Sequence, residues 1–327
     1  MRLKMNKILF FDYSNVIFRT INAAYVEGRH TPKTVNDWSD LGLNSLDEKY
    51  IPNDLSASEK KIMTTDEIHD FWKHITLNSI LATIKREKPN RVIIGYDCRG
   101  GYWRHSLYPQ YKSSRKESRS KSIVDFDLFF PVADKFKKDF IEAYPNFLHL
   151  EIDLCEADDI AGVICQRLHK DNEILLVTND KDYIQLLRHP NVRLYNPVDK
   201  KEVVSLNPVK DLDLKVITGD KGDDIPAVKP RTGIKTAEVI FNKGIEKFIE
   251  EQADPQAVRD AYKRNRILID MKYIPPVFQE KIISKYNEYP TKKFEFNHNM
   301  KFLHDNNLHK LVDDLMLNTA TLLSAIK

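Results

Sequence analysis

Three short apolar runs in this chain end in an aspartate. Lys7-Ile8-Leu9-Phe10-Phe11 meets Asp12, and Arg91-Val92-Ile93-Ile94-Gly95-Tyr96 meets Asp97. Glu173-Ile174-Leu175-Leu176-Val177-Thr178 passes Asn179 and reaches Asp180 and Asp182. Short runs that are apolar on both faces and alternate with helical periodicity are the signature of central strands in a parallel sheet. Ligands of such a sheet bind outside the carboxyl ends of its strands, so these acids aim at one crevice. The expectation is an α/β fold with a doubly wound, mainly parallel sheet, in which Phe147 to Ile152 adds a further strand.

A second group of acids, Glu156-Ala157-Asp158-Asp159, opens the helix that precedes the last of these runs. Glu156 and Asp159 are three apart and share a helical face. Unpaired carboxylates in a crevice repel, and oxygen-seeking cations relieve the repulsion. Helix N-termini also favour Asp and Glu as caps and as partners of the dipole. Taken alone, this stretch leaves both readings open.

The segment after Asp97 changes character. Arg99, Arg104, Lys112, Arg115, Lys116, Arg119 and Lys121 stand against Glu117 alone, with Tyr102, Trp103, Tyr108 and Tyr111 between them. Cations interleaved with aromatic faces suit single-stranded nucleic acid, whose phosphates need charge and whose bases stack. A solvated basic loop is the alternative. The run leaves directly from an acid-tipped strand, which favours nucleic acid. For Tyr102, Trp103 and Tyr111, core packing and base stacking stay equally open. Lys plus Arg total 51 against 48 for Asp plus Glu, so any anion-binding surface must come from segregation of charge.

The remainder divides around these features. Val16 to Tyr25 reads as helix, and Glu27 to Thr64 as a long polar insertion. Thr65 is the expected cap of a helix running to about Ile84. Ser122 to Ala143 is another helix, and Val192 to Tyr195 and Val203 to Ser205 are short extended pieces. Gly219-Asp220-Lys221-Gly222-Asp223-Asp224 is a further acid cluster in a glycine-bearing loop. It precedes Lys229-Pro230-Arg231-Thr232-Gly233-Ile234-Lys235-Thr236, a turn into a helix whose free amides and cations suit a phosphate. Tyr273-Ile274-Pro275-Pro276 breaks two later helices, and Asn297 to Lys327 is a last amphipathic helical region. Cys98, Cys155 and Cys165 form an odd set without metal spacing, which argues for a reducing cytoplasmic setting. The basic-then-apolar start meets Asp12 too soon for a signal peptide, and no run approaches membrane-spanning length.

In this order the motifs resemble the flap endonuclease family of structure-specific 5′ nucleases, closest to the ribonuclease H branch carried by T-even bacteriophages. The resemblance rests on Asp97 with Gly101-Tyr102-Trp103-Arg104 and Tyr111-Lys112, on Glu156-Ala157-Asp158-Asp159, on Asp180-Lys181-Asp182, and on Gly219-Asp220-Lys221-Gly222-Asp223. Leu268 to Pro275 extends it toward the C-terminus. It implies a PIN-like nuclease domain over 1–205, with a helical arch at about 98–123 and the insertion at about 27–64. A smaller, mostly helical C-terminal domain over 206–327 would carry a helix-turn-helix that grips duplex DNA. Matched position by position, Asp12, Asp97, Glu156, Asp158, Asp180 and Asp182 would serve a site of two Mg²⁺ ions, for which Mn²⁺ can substitute. Asp159, Asp220 and Asp223 would complete its outer ring. Arg104 and Lys112 would reach the scissile phosphate. Arg99, Tyr102, Trp103, Tyr111, Arg115 and Lys116 on the arch would meet nucleic acid. Lys229, Arg231, Thr232, Gly233, Lys235 and Thr236 would form the duplex-binding turn. The insertion is longer than in the T-even branch, and the turn at Pro230 lacks the plain glycine pair of cellular flap endonucleases.

The activity implied is Mg²⁺-dependent 5′ to 3′ exonuclease and flap endonuclease action, removing RNA primers from RNA-DNA hybrids. The partners implied are DNA, RNA-DNA hybrid, a sliding clamp and a single-strand-binding protein, met by a monomer away from membranes. Hard divalent cations want oxygen ligands, which fits a cluster of Asp and Glu without His or Cys. A haloacid dehalogenase-type phosphatase would place a second Asp two residues after Asp12, where this chain has Ser14. A non-catalytic adaptor on a nuclease fold would lack site acids, yet every matched position is filled. A small toxin-type ribonuclease would lack the basic arch and the helical C-terminal half.

Overall fold

The computed structural model describes residues 5–28, 63–288, 293–314 and 319–326. Six strands form one sheet in the order β3-β2-β1-β4-β5-β6. They are β1 (Asn6–Asp12), β2 (Arg91–Tyr96), β3 (Leu148–Glu151), β4 (Asn172–Val177), β5 (Val192–Asn196) and β6 (Lys201–Val203). All pairings are parallel except β5 with β6. The chain steps outward from β1 through β2 to β3, then returns to build β4 and β5 on the other side. Strand order therefore reverses between β1 and β4, the place where a doubly wound sheet opens a crevice. Phe11 pairs with Ile94 on one side and Val177 on the other, so Asp12, Asp97 and Asp180 emerge near one level at one sheet edge.

The period of two in β1 sorts its side chains to two cores. Leu9 and Phe11 face α1 (Tyr13–Gly28), α2 (Thr65–Glu87) and α3 (Phe126–Ala143), in a core with Trp72, Phe129, Phe136 and Phe140. Ile8 and Phe10 face α4 (Ala157–Leu168), with Ile160, Ile164 and Tyr183. Gly95 in β2 lets the Phe10 ring approach, since a Cβ there would lie 2.5 Å from it.

Helix starts follow their caps. Thr64, not the expected Thr65, opens α2: its Oγ1 accepts from Glu67 N at 3.3 Å while Glu67 Oε2 accepts from Thr64 N at 2.8 Å. Asp125 delays α3 past the expected Ser122, because its Oδ1 accepts from the amides of Asp127 and Leu128. Of the insertion at about 27–64, residues 29–62 lie outside the described residues. Its two ends meet where Met63 N donates to Gly28 O at 3.0 Å.

The expected division at 205 and 206 is corrected by the packing. A helical unit does begin there, with α5 (Pro208–Thr218), α6 (Ile234–Lys243) and α7 (Pro255–Ile269) around small clusters of their own. Past Ile269 the chain returns to the sheet. Met271 and Ile274 join the core under α4, as do Phe278 and Ile282 of α8 (Pro276–Asn287). Phe302 and Leu303 of α9 (Phe296–Asp305), with Leu308, Leu323 and Ile326, complete the core on the opposite face. The Asn146 side-chain amide donates to Leu323 O at 2.8 Å. Sequence composition could not reveal that the last third is shared between two units, because an amphipathic helix does not name its partner.

Candidate active site

The acids at the strand ends meet in a cavity of about 310 Å³ lined by Asp12, Asp97, Lys112, Glu156, Asp158 and Asp180. Asp12 is 7% exposed, and its two oxygens accept from Asn15 N at 2.9 Å and from the Tyr183 hydroxyl at 3.0 Å. Burial, with Asp97 and Asp180 repelling it, pushes its pKa up to about 7. Asp97 Oδ1 accepts from Ala157 N at 2.8 Å, which ties β2 to the start of α4. Burial likewise raises Asp158 well above the ordinary range; Arg104 works against the rise, and Glu156 and Asp159 add to it. Asp158 Oδ1 is buried without a hydrogen-bond partner among the described residues; the Arg104 guanidinium is 4.0 Å away. Burial also raises Asp180. An orphaned carboxylate oxygen among all-oxygen donors with raised pKa values fits a hard divalent cation. Glu156, Asp158 and Asp159 each bring an oxygen within 4.8 Å of the others.

A second, shallower set joins this one. Asp182, Asp220 and Asp223 also bring their oxygens within 4.8 Å of one another. Gly219, at φ 70°, permits the turn, because a Cβ there would lie 2.3 Å from Ile225 O. Asp220 Oδ1 accepts from Gly222 N at 2.8 Å and Asp180 Oδ1 from Asp182 N at 2.9 Å, so each acid is held by its own turn. Lys215, on the last turn of α5, hydrogen-bonds Asp182 and lies 2.6 Å from Asp220 Oδ2.

The basic segment after Asp97 closes over both sets through two short helices, Arg104–Leu107 and Arg115–Ser120. Lys112 N donates to Asp223 O at 3.0 Å, and Ser114 N to Asp224 Oδ2 at 2.8 Å. Lys112 has φ 57°, a left-handed conformation uncommon outside glycine, and its ammonium bonds Glu156 and lies 3.6 Å from Asp223. Burial works against that ammonium, but Glu156 and Asp223 more than offset it and raise its pKa. Burial would raise Glu156 too, yet Lys112 and Arg104 hold it below the usual range.

Several expected roles are corrected here. Arg104 is 2% exposed and cannot reach a phosphate from this position. Its Nε donates to Leu268 O at 2.9 Å and its guanidinium binds Glu156 at 2.8 Å and Asp159 at 2.9 Å. Asp159, fully buried, also accepts from Glu156 N and the Trp103 indole at 3.0 Å each, both at Oδ2, so it braces the helix start, while its Oδ1 faces the Arg104 guanidinium and has no hydrogen-bond partner among the described residues. For Trp103 and Tyr111, where the sequence leaves packing and stacking equally open, burial places the rings in the packed interior. The Tyr111 hydroxyl lies 2.9 Å from Glu156 Oε2 and 3.1 Å from Asp223 Oδ2. The physical reason is shared: charges and polar rings drawn under the arch must find partners, and the carboxylates are those partners.

The other expected contacts spread over the surface. Tyr102 is half-buried, with Lys112 Nζ 5.4 Å from its ring centre. Arg115 pairs with Asp223 at 2.8 Å, Arg99 with Asp134, and Lys116 is exposed. Lys229, Arg231, Gly233, Lys235 and Thr236 are exposed at the start of α6, while Thr232 is buried. Lys229 Nζ donates to Gln252 at 2.8 Å. Three residues at the site were missed: Lys215, Tyr183 and Asn15. For Lys215 a signal existed, a lysine in the last turn of a helix directly before an acid loop.

Residues 54–222 match the family model for the 5′-3′ exonuclease N-terminal resolvase-like domain. The chain is also 30% identical over 242 residues to the ribonuclease H of Enterobacteria phage T4, covering 66% of this chain and 77% of that one. The chain belongs to the 5′-3′ exonuclease family. A 5′-3′ exonuclease of Mycoplasmopsis pulmonis is 26% identical over 230 residues, covering 67% of this chain and 73% of the relative. The fold is that of the bacteriophage T5 flap endonuclease, whose complex with DNA and metal ions aligns with a TM-score of 0.58 at 19% identity, over 92% of this chain and 98% of that one. This exonuclease-family chain is thus a nuclease on a doubly wound α/β fold, with acids suited to divalent metal. Among the described residues no helix is long and apolar enough to cross a membrane.

Proposed function

We propose that this nuclease uses two Mg²⁺ ions to remove RNA primers and adjacent DNA from the 5′ end, by exonucleolytic and flap cleavage. The observation that carries the reading is the single cavity into which Asp12, Asp97, Glu156, Asp158 and Asp180 converge beside Lys112. Asp12, Asp97, Glu156, Asp158 and Asp180 would hold the deeper ion, and Asp182, Asp220 and Asp223 the shallower. Bound ions would supply a hydroxide nucleophile at neutral pH and charge neutralisation at the leaving oxygen. The chain's own residues do the rest. Tyr183 and Asn15 fix the orientation of Asp12, and Asp97 anchors the amide end of α4. Lys112 is the catalytic cation, since a permanently charged ammonium beside the reacting phosphate offsets the charge that develops there. Arg104 positions Glu156 and Asp159 and ties the arch base to α7 through Leu268 O. Exposed Arg231 and Lys235 at the amide end of α6 suit the phosphates of a duplex.

The T5 relative's complex with DNA supports a nucleic-acid substrate, and the T4 relative's name supports RNA-DNA hybrid. A monomer acting in the cytoplasm, beside a sliding clamp and a single-strand-binding protein, completes the proposal. The test is cleavage of a 5′-labelled RNA primer annealed to DNA, with and without Mg²⁺, alongside Lys112→Ala. Short 5′ products that need Mg²⁺ and appear more slowly in the variant support the assignment. Tight binding without any cleavage would sink it.

A further inference from the structure

The two acid sets differ in what neutralises them. In the deeper set, Asp158 Oδ1 has no hydrogen-bond partner among the described residues, and Asp12 is met only by neutral donors. In the shallower set, Lys215 spans Asp182 and Asp220, and no other basic side chain among the described residues is paired with either acid. We propose that Lys215 is a built-in counter-ion for the shallower site, which an incoming divalent cation must displace from Asp182 and Asp220. This rests on the two-ion reading above.

The position of Lys215 suits that role. It sits on the last turn of α5, where the helix dipole favours a cation, and its four-carbon stem reaches a loop that begins four residues later. The stem can turn away without moving the helix, whereas Asp220 is held by the Gly222 amide in the turn that Gly219 permits, and Asp223 by Tyr111 and Arg115. A mobile charge thus faces a fixed carboxylate set. One ammonium cannot satisfy three carboxylates, and Asp223 has its own partners in Lys112 and Arg115. The deeper site is therefore open to the first ion, and the shallower one fills only against competition from Lys215. Lys215 sets the gap between the two affinities.

The experiment uses the full chain, stripped of metal and without nucleic acid. Mn²⁺ is titrated into wild type, Lys215→Met and Lys215→Arg while free Mn²⁺ is followed by electron paramagnetic resonance. Wild type should bind one ion tightly and one weakly. In Lys215→Met the weak site should tighten by about tenfold, the order expected when a full positive charge leaves a partly buried site, and the tight site by clearly less, since Lys215 also bears on Asp180 but makes no direct contact with the rest of the deep set. Lys215→Arg should stay near wild type. Metal-free Lys215→Met should also melt below wild type, with the gap narrowing as Mn²⁺ is added. Lys215→Gln repeats the titration if the Met variant loses helix content. An unchanged weak site in the neutral variants overturns the counter-ion role alone. Absence of Mn²⁺ binding in wild type overturns the two-ion reading, and this inference with it.

Discussion

The deep and shallow acid sets are built from the same residue types but are held in opposite ways. Asp12, Asp158 and Asp180 are raised in pKa chiefly by burial, and the fold tolerates their mutual repulsion. Burial would raise Asp220 as well, yet Lys215 and the Gly222 amide bring it below the ordinary value. Asp12, Asp158 and Asp180 store unfavourable electrostatics, although Lys112 and Arg104 neutralise Glu156 beside them, whereas Asp220 is neutralised by Lys215. Strain of the first kind is what a site keeps when a cation is meant to relieve it.

Removing a deep carboxylate is the strongest way to test this contrast. Metal-supplied stabilisation amounts to several kcal/mol, so Asp158→Asn should slow single-turnover cleavage by about a thousandfold or more. Binding to the primer substrate, read by gel shift, should persist, because no basic surface changes. Full cleavage in this variant would refute the deep site.

Next in size is the brace behind the deep set. Arg104→Met leaves Glu156 and Asp159 without their buried guanidinium partner, and should cost about 3–5 kcal/mol of stability in urea melts. A change within 1 kcal/mol or so would mean that the carboxylates find other partners.

What was legible in the sequence follows the same divide. The strand-end acids could be read directly, because a run such as Ile174 to Val177 fixes both the strand and the place where its acid emerges. Register then does the rest, since Phe11, Ile94 and Val177 lie side by side. Arg104 points in sequence to a phosphate and Trp103 leaves packing and stacking equally open, because charge and aromaticity announce an interaction without naming its partner, here Asp159. Lys215 does not stand out in the sequence, because a lysine at a helix end has an ordinary explanation in the dipole. The return of Leu323 to the sheet's core depends on contacts more than 170 residues apart, which no local pattern records.

Acidity separates the sets by sign. Asp12 titrates at about 7 in the folded state and near 3.8 when unfolded. Between those values the metal-free fold holds more protons than the unfolded chain, so stability falls as pH rises from about 4 through 7. The loss is about 4 kcal/mol, with Asp158 and Asp180 pulling the same way. For Asp220 the sign reverses: its contribution is present above its unfolded value and is lost as pH falls below it. Melts of metal-stripped protein should therefore be steepest in pH on the acid side of 7. Saturating Mg²⁺ should flatten that slope, and an unchanged slope would uncouple it from the deep acids.

At the shallow set the effect on rate is smaller and conditional. Asp182→Asn removes one of three donors and also frees Lys215 from one partner. Cleavage should fall by about ten- to a hundredfold at limiting Mg²⁺ and recover substantially as Mg²⁺ rises. A loss as deep as that of Asp158→Asn, unresponsive to metal, would erase the distinction between the sets.

The finest probe is the atom that touches both. The Tyr111 hydroxyl lies within hydrogen-bonding distance of Glu156 in one set and Asp223 in the other, while its ring packs with Leu212, Val216 and Ile225. Tyr111→Phe keeps the ring and deletes only the shared donor, so the core should hold and stability should fall by about 1.5–3 kcal/mol, the range for a bond to a charged acceptor. If the bridge couples the sets, the first Mn²⁺ ion should cease to influence the affinity of the second in this variant, although each site keeps all its carboxylates. If the sets are coupled only through the charge of the ions, that influence should survive intact, because the charges stay where they were. The direction of the coupling also follows from the geometry. One hydroxyl proton serves two acceptors, so an ion that neutralises Glu156 lets the hydroxyl turn toward Asp223, leaving the shallow set with one more donor and less need of a cation. The first ion should therefore weaken the second in wild type by more than charge repulsion alone requires, and Tyr111→Phe should remove that excess.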